Sequence, residues 1–181
     1  MKLIILDRDG VINKDSDNYI KSPKEWIPIP GSLEAIARLN KANYRVIVAT
    51  NQSGIARGLF DLQALNNMHK KMCAMLDRWG GRIDGVFFCP HGPDDKCKCR
   101  KPKVGLFKQI TRRLPMGIQD VPAVGDSLRD IQAARRAGAR PFLVLTGKGH
   151  RTLMAGNLPA GVPVFDDLAA VADALIGKTK N

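Results

Sequence analysis

The sequence predicts an α/β fold, a doubly wound and mainly parallel sheet with helices on both faces. Three features of the 181 residues lead there. Six short apolar or β-branched runs recur along the chain, amphipathic stretches of helical period separate them, and polar residues gather just past the ends of the runs. Strands buried on both faces of a parallel sheet read as near-continuous apolar runs, and regular strand and helix alternation is the signature of such a sheet.

The first run, Lys2 to Leu6, stops at Asp7. Ser32 to Asn43 follows as a helix with Leu33, Ile36, Ala37 and Leu39 on one face. Arg45 to Thr50 is the second strand. A longer helix begins at Asp61, which suits an N-cap, and its apolar face takes Leu62, Leu65, Met68, Met72 and Leu76. Cys73 falls inside this pattern and is expected in the core. Gly85 to Cys89 is the third strand and Val104 to Leu114 the next helix. Val121 to Gly125 precedes a helix from Ser127 to Ala137 that Gly138 ends. Pro141 to Thr146 and Val162 to Phe165 are the last strands, and Asp167 to Ile176 the last helix. Two proline-bearing stretches break the rhythm, about 13–30 and 89–103, and long loops in compact domains are usually functional. With no internal repeat or linker, residues 1–181 read as one domain.

Composition excludes several classes. Hydrophobic residues make up 44% and charged ones 25%, ordinary globular usage that argues against disorder or low complexity. The apolar start is cut off by Asp7, Arg8 and Asp9, and no run approaches the ~20 residues of a membrane span. A cytoplasmic protein with no membrane partner is expected. Lys plus Arg is 29 against 17 for Asp plus Glu, a net charge of +12 that implies an anionic partner, either nucleic acid or a small phosphorylated molecule. Of the four cysteines, Cys89, Cys97 and Cys99 crowd together with His91, a clustering that points to metal before disulfides.

In a parallel α/β sheet, ligands bind outside the carboxyl ends of the strands. Strand one ends Asp7-Arg8-Asp9-Gly10. Alternation along an extended chain points both carboxylates to the same side, where the pair reads either as a solvated Asp-Gly turn or as oxygen ligands for a hard cation such as Mg²⁺, with one carboxylate as nucleophile and the other as general acid and base. Strand two ends Thr50-Asn51-Gln52-Ser53-Gly54, either a polar turn or a receiver for phosphoryl oxygens. Strand four ends Gly125-Asp126-Ser127, with Asp130 one helical turn later, and a helix N-cap explains Ser127 or Asp126 equally well. Arg100, Lys101 and Lys103 add cations. Phosphoryl transfer is positioning plus charge neutralisation, so the coincidence of these signals outweighs their separate readings.

These residues resemble the four ordered motifs of the haloacid dehalogenase superfamily of phosphohydrolases, matched by Asp7-Arg8-Asp9-Gly10, Thr50, Lys101 and Gly125-Asp126. The resemblance implies a Rossmann-like fold in which Asp7 attacks phosphorus, Asp9 protonates the leaving oxygen and then activates water, and Thr50 and Lys101 bind phosphoryl oxygens. Asp7, Asp126 and the backbone carbonyl of Asp9 would ligate Mg²⁺. Within the superfamily the chain is similar to the branch of histidinol-phosphate and heptose-bisphosphate phosphatases, which has no large cap domain and carries a zinc loop. Cys89, His91, Cys97 and Cys99 would then be a closed Zn²⁺ set with a structural role, fixing the loop that delivers Arg100 and Lys101.

The stretch from Thr50 to Gly58 looks like the heptose-bisphosphate enzymes. The implied reaction removes the 7-phosphate of D-glycero-D-manno-heptose 1,7-bisphosphate, with the phosphorylated sugar as the sole expected partner. Asn51, Gln52, Ser53, Arg57, Arg100 and Lys101 are expected to bind substrate. Arg57, Arg100 and Lys148 are candidates for the distal phosphate, and Asn13, Asp15 and Trp26 for contact with the sugar. The short span between His91 and Cys97 also resembles the histidinol-phosphate enzymes, which keeps that substrate as the alternative. A nucleic-acid 3′-phosphatase fits the charge, but the Lys96 to Lys103 cluster has no interleaved aromatics for base stacking. A non-enzymatic zinc-stabilised binding module would have no reason to keep Asp7, Asp9, Thr50, Lys101 and Asp126 all at strand ends. The basic excess, including Lys178 and Lys180, reads as solvated surface. His69 and His150 show no partners in sequence, and with no exposed heptad a monomer is expected.

Overall fold

The computed structural model describes residues 2–114 and 117–177; the expected basic tail at Lys178 and Lys180 lies outside them. The strands are β1 (Lys2–Leu6), β2 (Tyr44–Asn51), β3 (Gly85–Cys89), β4 (Pro122–Gly125), β5 (Arg140–Val144) and β6 (Val164–Phe165). The helices are α1 (Ser32–Lys41), α2 (Leu62–Asp77), α3 (Gly105–Arg113), α4 (Leu128–Arg136), α5 (Gly149–Met154) and α6 (Leu168–Ile176). All strand pairs are parallel, in the order β3-β2-β1-β4-β5-β6. The chain runs outward from β1 to β3 and then returns to place β4 beside β1, so the strand order reverses between these two. That reversal opens the crevice in which doubly wound sheets bind ligands.

Each strand sends alternate residues to opposite faces, and both faces are covered. Ile4, Leu6, Val46 and Val48 pack with α1, α2 and α6, while Leu3, Ile5, Ile47 and Ala49 pack with α3 and α4. Full burial of an aliphatic side chain contributes about 1.5–3 kcal/mol, which is why these short strands read as unbroken apolar runs. Asp61 caps α2 by accepting from the Ala64 N–H at 2.8 Å, and Asp167 caps α6 by accepting from Ala170 at 2.8 Å. Gly138 ends α4 in the left-handed region, φ 82°.

The structure departs from expectation in several places, among them the start of β6 at Val164 instead of Val162 and the end of α1 at Lys41 instead of Asn43. On α2 the buried stripe is Leu65, Met68, Met72 and Leu76; Leu62 is 51% exposed and Cys73 is also exposed. One residue is 100° of helix, enough to turn Cys73 off the stripe that Met72 occupies. β5 ends at Val144 instead of Thr146, whose hydroxyl turns to donate to the Gly10 carbonyl at 2.6 Å. The short α5 was not expected, because it carries no apolar period long enough to read. Among the described residues no helix is long and apolar enough to cross a membrane.

Candidate active site

Asp7 follows β1 directly, and its N–H donates to the Val124 carbonyl of β4 at 2.9 Å, fixing it at the crevice. Period-two alternation then turns Asp9 the same way, and both line a cavity of about 280 Å³. Arg8 between them points into the protein and is fully buried. Gly10 bends the chain away at φ 84°, and a Cβ there would lie 2.0 Å from Asp126 Oδ2, so no other residue fits beside that carboxylate.

Oxygens of Asp7, Asp126 and Asp130 lie within 4.8 Å of one another. Burial pushes the Asp7 carboxyl up to about 7; Lys101 pulls it down, while Asp130 and Asp9 add to the rise. Burial, then the charges of Asp130 and Asp7, push Asp126 up to about 8. Crowded carboxylates that resist ionisation call for a cation. Asp126 Oδ2 also accepts from the Lys148 N–H at 2.8 Å.

Lys101 supplies one cation from inside. Its ammonium is 3.1 Å from Asp7 Oδ1 and 2.7 Å from Asp130 Oδ1, and it donates to the Ala49 carbonyl at 2.8 Å. Burial alone would lower its pKa, but Asp130 and Asp7 more than offset this and hold it above the ordinary value. Asp130 is held below the usual carboxylate range: burial works against it, and Lys101 and the Ser127 hydroxyl prevail. Its Oδ2 accepts from both the N–H (3.0 Å) and the hydroxyl (2.6 Å) of Ser127, so the residue that caps α4 also orients the lysine.

Thr50 is buried at the end of β2, and Gln52 Nε2 bridges from Thr50 Oγ1 (2.9 Å) to Asp9 Oδ2 (3.0 Å). Asp9 Oδ1 accepts from Asn13 Nδ2 at 2.8 Å and Arg8 Nε at 2.9 Å, and Oδ2 from Arg8 Nη2 at 3.1 Å. Ser53, Arg57 and Arg100 reach the cavity wall, and the Arg57 guanidinium lies 5.8 Å from the Tyr19 ring centre. Burial, and then the like charge of Arg129, lower the Arg100 pKa, and both side chains line the cavity.

Cys89, His91, Cys97 and Cys99 place one ligand atom each within 4.8 Å of the others. His91 turns Nδ1 inward, 3.5 Å from Cys89 Sγ and 3.3 Å from Cys99 Sγ. Burial and the neighbouring Cys99 thiol push the Cys89 thiol up. The Arg100 side chain donates to the His91 carbonyl at 3.3 Å, which ties this cluster to the cavity.

Several expected contacts fall elsewhere. Asn13 is buried and holds Asp9, and Trp26 is fully buried in the core under α2, so neither side chain reaches a sugar. Lys148 and Asp15 do line the cavity, where the Lys148 ammonium lies 3.1 Å from Asp15 and 3.9 Å from Asp17. Asn51 lines the cavity but uses its amide on the Lys101 backbone. His69, expected to have no partner, meets Arg8 Nη1 at 3.3 Å; burial and the adjacent Arg8 charge lower its pKa to about 4. Sequence reading placed Asp130 one helical turn past Asp126 but gave it no duty, and gave Arg129 none. The Ser127 to Asp130 spacing carried the signal for the first, whereas only the fold turns Arg129 to the cavity.

Comparison with known proteins agrees with this geometry. A family model described as HAD-hydrolase-like matches residues 98–171. The D-glycero-β-D-manno-heptose-1,7-bisphosphate 7-phosphatase of Bordetella bronchiseptica is 60% identical over 176 residues, covering 97% of this chain and 98% of that protein. The enzyme of the same name from Pseudomonas aeruginosa is 55% identical over 174 residues, covering 96% and 97%. A crystal structure of the B. bronchiseptica phosphatase, complexed with magnesium and phosphate, superposes with a TM-score of 0.96 at 59% identity, covering 99% of this chain and 100% of that one. The chain belongs to the heptose-bisphosphate phosphatase family of HAD-like hydrolases.

Proposed function

We propose that the protein, as one domain over residues 1–181, hydrolyses the 7-phosphate of D-glycero-D-manno-heptose 1,7-bisphosphate through an aspartyl-phosphate, with Mg²⁺ as cofactor. The observation that carries this reading is the meeting of Asp7, Lys101 and Asp126 at the switch point of the sheet, in a chain 60% identical to a phosphatase of that name.

Asp7 is the nucleophile. Its carboxylate oxygen bonds to phosphorus as the bond from phosphorus to the sugar oxygen breaks, and Asp9 gives that oxygen its proton. Asp9, now ionised, takes a proton from water, whose oxygen displaces Asp7 and releases inorganic phosphate. Thr50 and Lys101 hold the phosphoryl oxygens in both steps. Gln52 orients Thr50 and Asp9 together, Ser53 contacts the substrate, and Asn51 serves the lysine.

The donor set suits Mg²⁺, which takes hard oxygen ligands: Asp7 and Asp126 would hold it, with the Asp9 carbonyl. When bound, the cation neutralises the charge of the transferring phosphoryl group. Arg57 and Arg100, with Arg129 beside the latter, receive the distal phosphate, a use that fits guanidinium forks. Three thiolates and one imidazole suit Zn²⁺ with no position left for water, so Cys89, His91, Cys97 and Cys99 hold a structural zinc. The enzyme acts as a cytoplasmic monomer on a phosphorylated sugar.

The test is phosphate release with and without Mg²⁺, comparing kcat/KM for heptose 1,7-bisphosphate in both anomers, histidinol phosphate and a 3′-phosphorylated oligonucleotide. A large preference for the bisphosphate, in the β anomer named for the B. bronchiseptica relative, is the expected result. Preference for histidinol phosphate overturns the substrate, and no Mg²⁺-dependent release overturns the chemistry.

A further inference from the structure

Arg8 touches no reacting atom in this reading, yet it is a fully buried charged side chain. Its fork is closed on Asp9, with Nε 2.9 Å from Oδ1 and Nη2 between the two oxygens, 2.9 Å from Oδ1 and 3.1 Å from Oδ2. The remaining nitrogen, Nη1, meets His69 Nε2 at 3.3 Å. A guanidinium only donates, so Nε2 is the acceptor and the imidazole is neutral with its proton on Nδ1. His69 is carried by α2, and two residues further along Lys71 donates to the carbonyls of Pro23 (2.7 Å) and Trp26 (2.8 Å). The helix therefore braces both the strand-end turn and the loop that follows it.

Each Asp9 oxygen is met by two donors, Oδ1 by Arg8 and Asn13, Oδ2 by Arg8 and Gln52. Asn13 and Gln52 hold one oxygen each, whereas Arg8 alone spans both and sets the plane of the carboxylate. We propose that His69 is a positioning residue for the acid-base step: by accepting from Nη1 it holds the Arg8 fork in the orientation that presents Nε and Nη2 to Asp9, and so aims that carboxyl at the leaving oxygen. Without the acceptor, Nη1 is a buried donor lacking a partner, which favours rotation of the fork away from Asp9. Small misplacements of a catalytic group have large effects on rate.

The inference rests on the phosphatase reading above, and its test separates the two. His69→Leu and His69→Ala remove the acceptor, and His69→Gln restores one through Oε1. The measurement is the ratio of kcat/KM for the heptose bisphosphate to that for p-nitrophenyl phosphate, whose leaving group departs without a proton. This ratio is independent of the fraction of protein folded, so a destabilised variant still reports. It is expected to fall about tenfold in the Leu and Ala variants, part of the 10²–10⁴ that a positioned acid supplies, and to return to within about twofold of wild type in the Gln variant. An unchanged ratio in the Leu and Ala variants, or a Gln variant as impaired as they are, overturns the role of His69. Wild-type protein without Mg²⁺-dependent phosphate release overturns the phosphatase reading instead.

Discussion

Asn51 and Lys101, 50 residues apart, exchange two hydrogen bonds: Asn51 Nδ2 donates to the Lys101 carbonyl at 3.1 Å, and the Lys101 N–H donates to Asn51 Oδ1 at 3.0 Å. The clamp joins the end of β2 to the loop that leaves the cysteine cluster, and it sets where the lysine enters the site. Each such bond contributes about 0.5–1.5 kcal/mol net. Asn51→Ala is expected to lower kcat/KM by about ten to a hundredfold as Lys101 loses its fixed origin, while thermal unfolding shifts by only a few degrees. Steady-state kinetics beside a melting curve checks this, and unchanged kinetics would remove the clamp from the mechanism.

Asp7→Asn removes the proposed nucleophile and keeps the strand, because the side chain lies past the end of β1 and its backbone bond to Val124 survives. Turnover should drop by at least about 10³-fold, with circular dichroism unchanged. Retained multiple turnover would rule out the covalent step.

The metal site should depend on pH in a definite direction. Asp7 is raised to about 7 and Asp126 to about 8 in the metal-free protein, above their ordinary value of 3.8. Below pH 7 both carboxyls hold protons that Mg²⁺ must displace, and above pH 8 neither does, so affinity for Mg²⁺ rises with pH across this window. Calorimetric titration at pH 6, 7 and 8.5 should show Kd falling and proton release shrinking. A Kd constant over this range would contradict the assignment.

About one zinc per chain is expected by elemental analysis, and its removal by a strong chelator should lower Tm markedly, since metal binding at such sites is coupled to folding. Activity should fall with it, because Arg100 and Lys101 follow Cys99 directly and Arg100 is tied to the His91 carbonyl. Cys97→Ser should reproduce both effects. Zinc-free protein with full activity would separate the cluster from the site.

Much of this protein was legible in the chain. The six strands could be read because both faces of the sheet are covered, which makes each an apolar run, and the strand ends could be read because their polar residues stop those runs abruptly. The cysteine cluster could be read because its members are close in sequence. Pairing across the chain was a different matter: Lys101 with Asp130, Asn51 with Lys101 and His69 with Arg8 join residues on separate elements, and no local spacing encodes them. Cys73 was misplaced for a related reason, since one step around a helix separates core from solvent and only the docking of α2 decides which step faces inward. Lys148 could be named as a candidate for the distal phosphate because its charge was visible, while the two aspartates beside it at the cavity are brought there by the path of a loop. Local pattern thus determined the elements and the residue types at their ends, through burial and period. The tertiary structure decided which of those groups share a proton, a charge or a ligand, because such coupling depends on distances of about 3 Å that only packing sets.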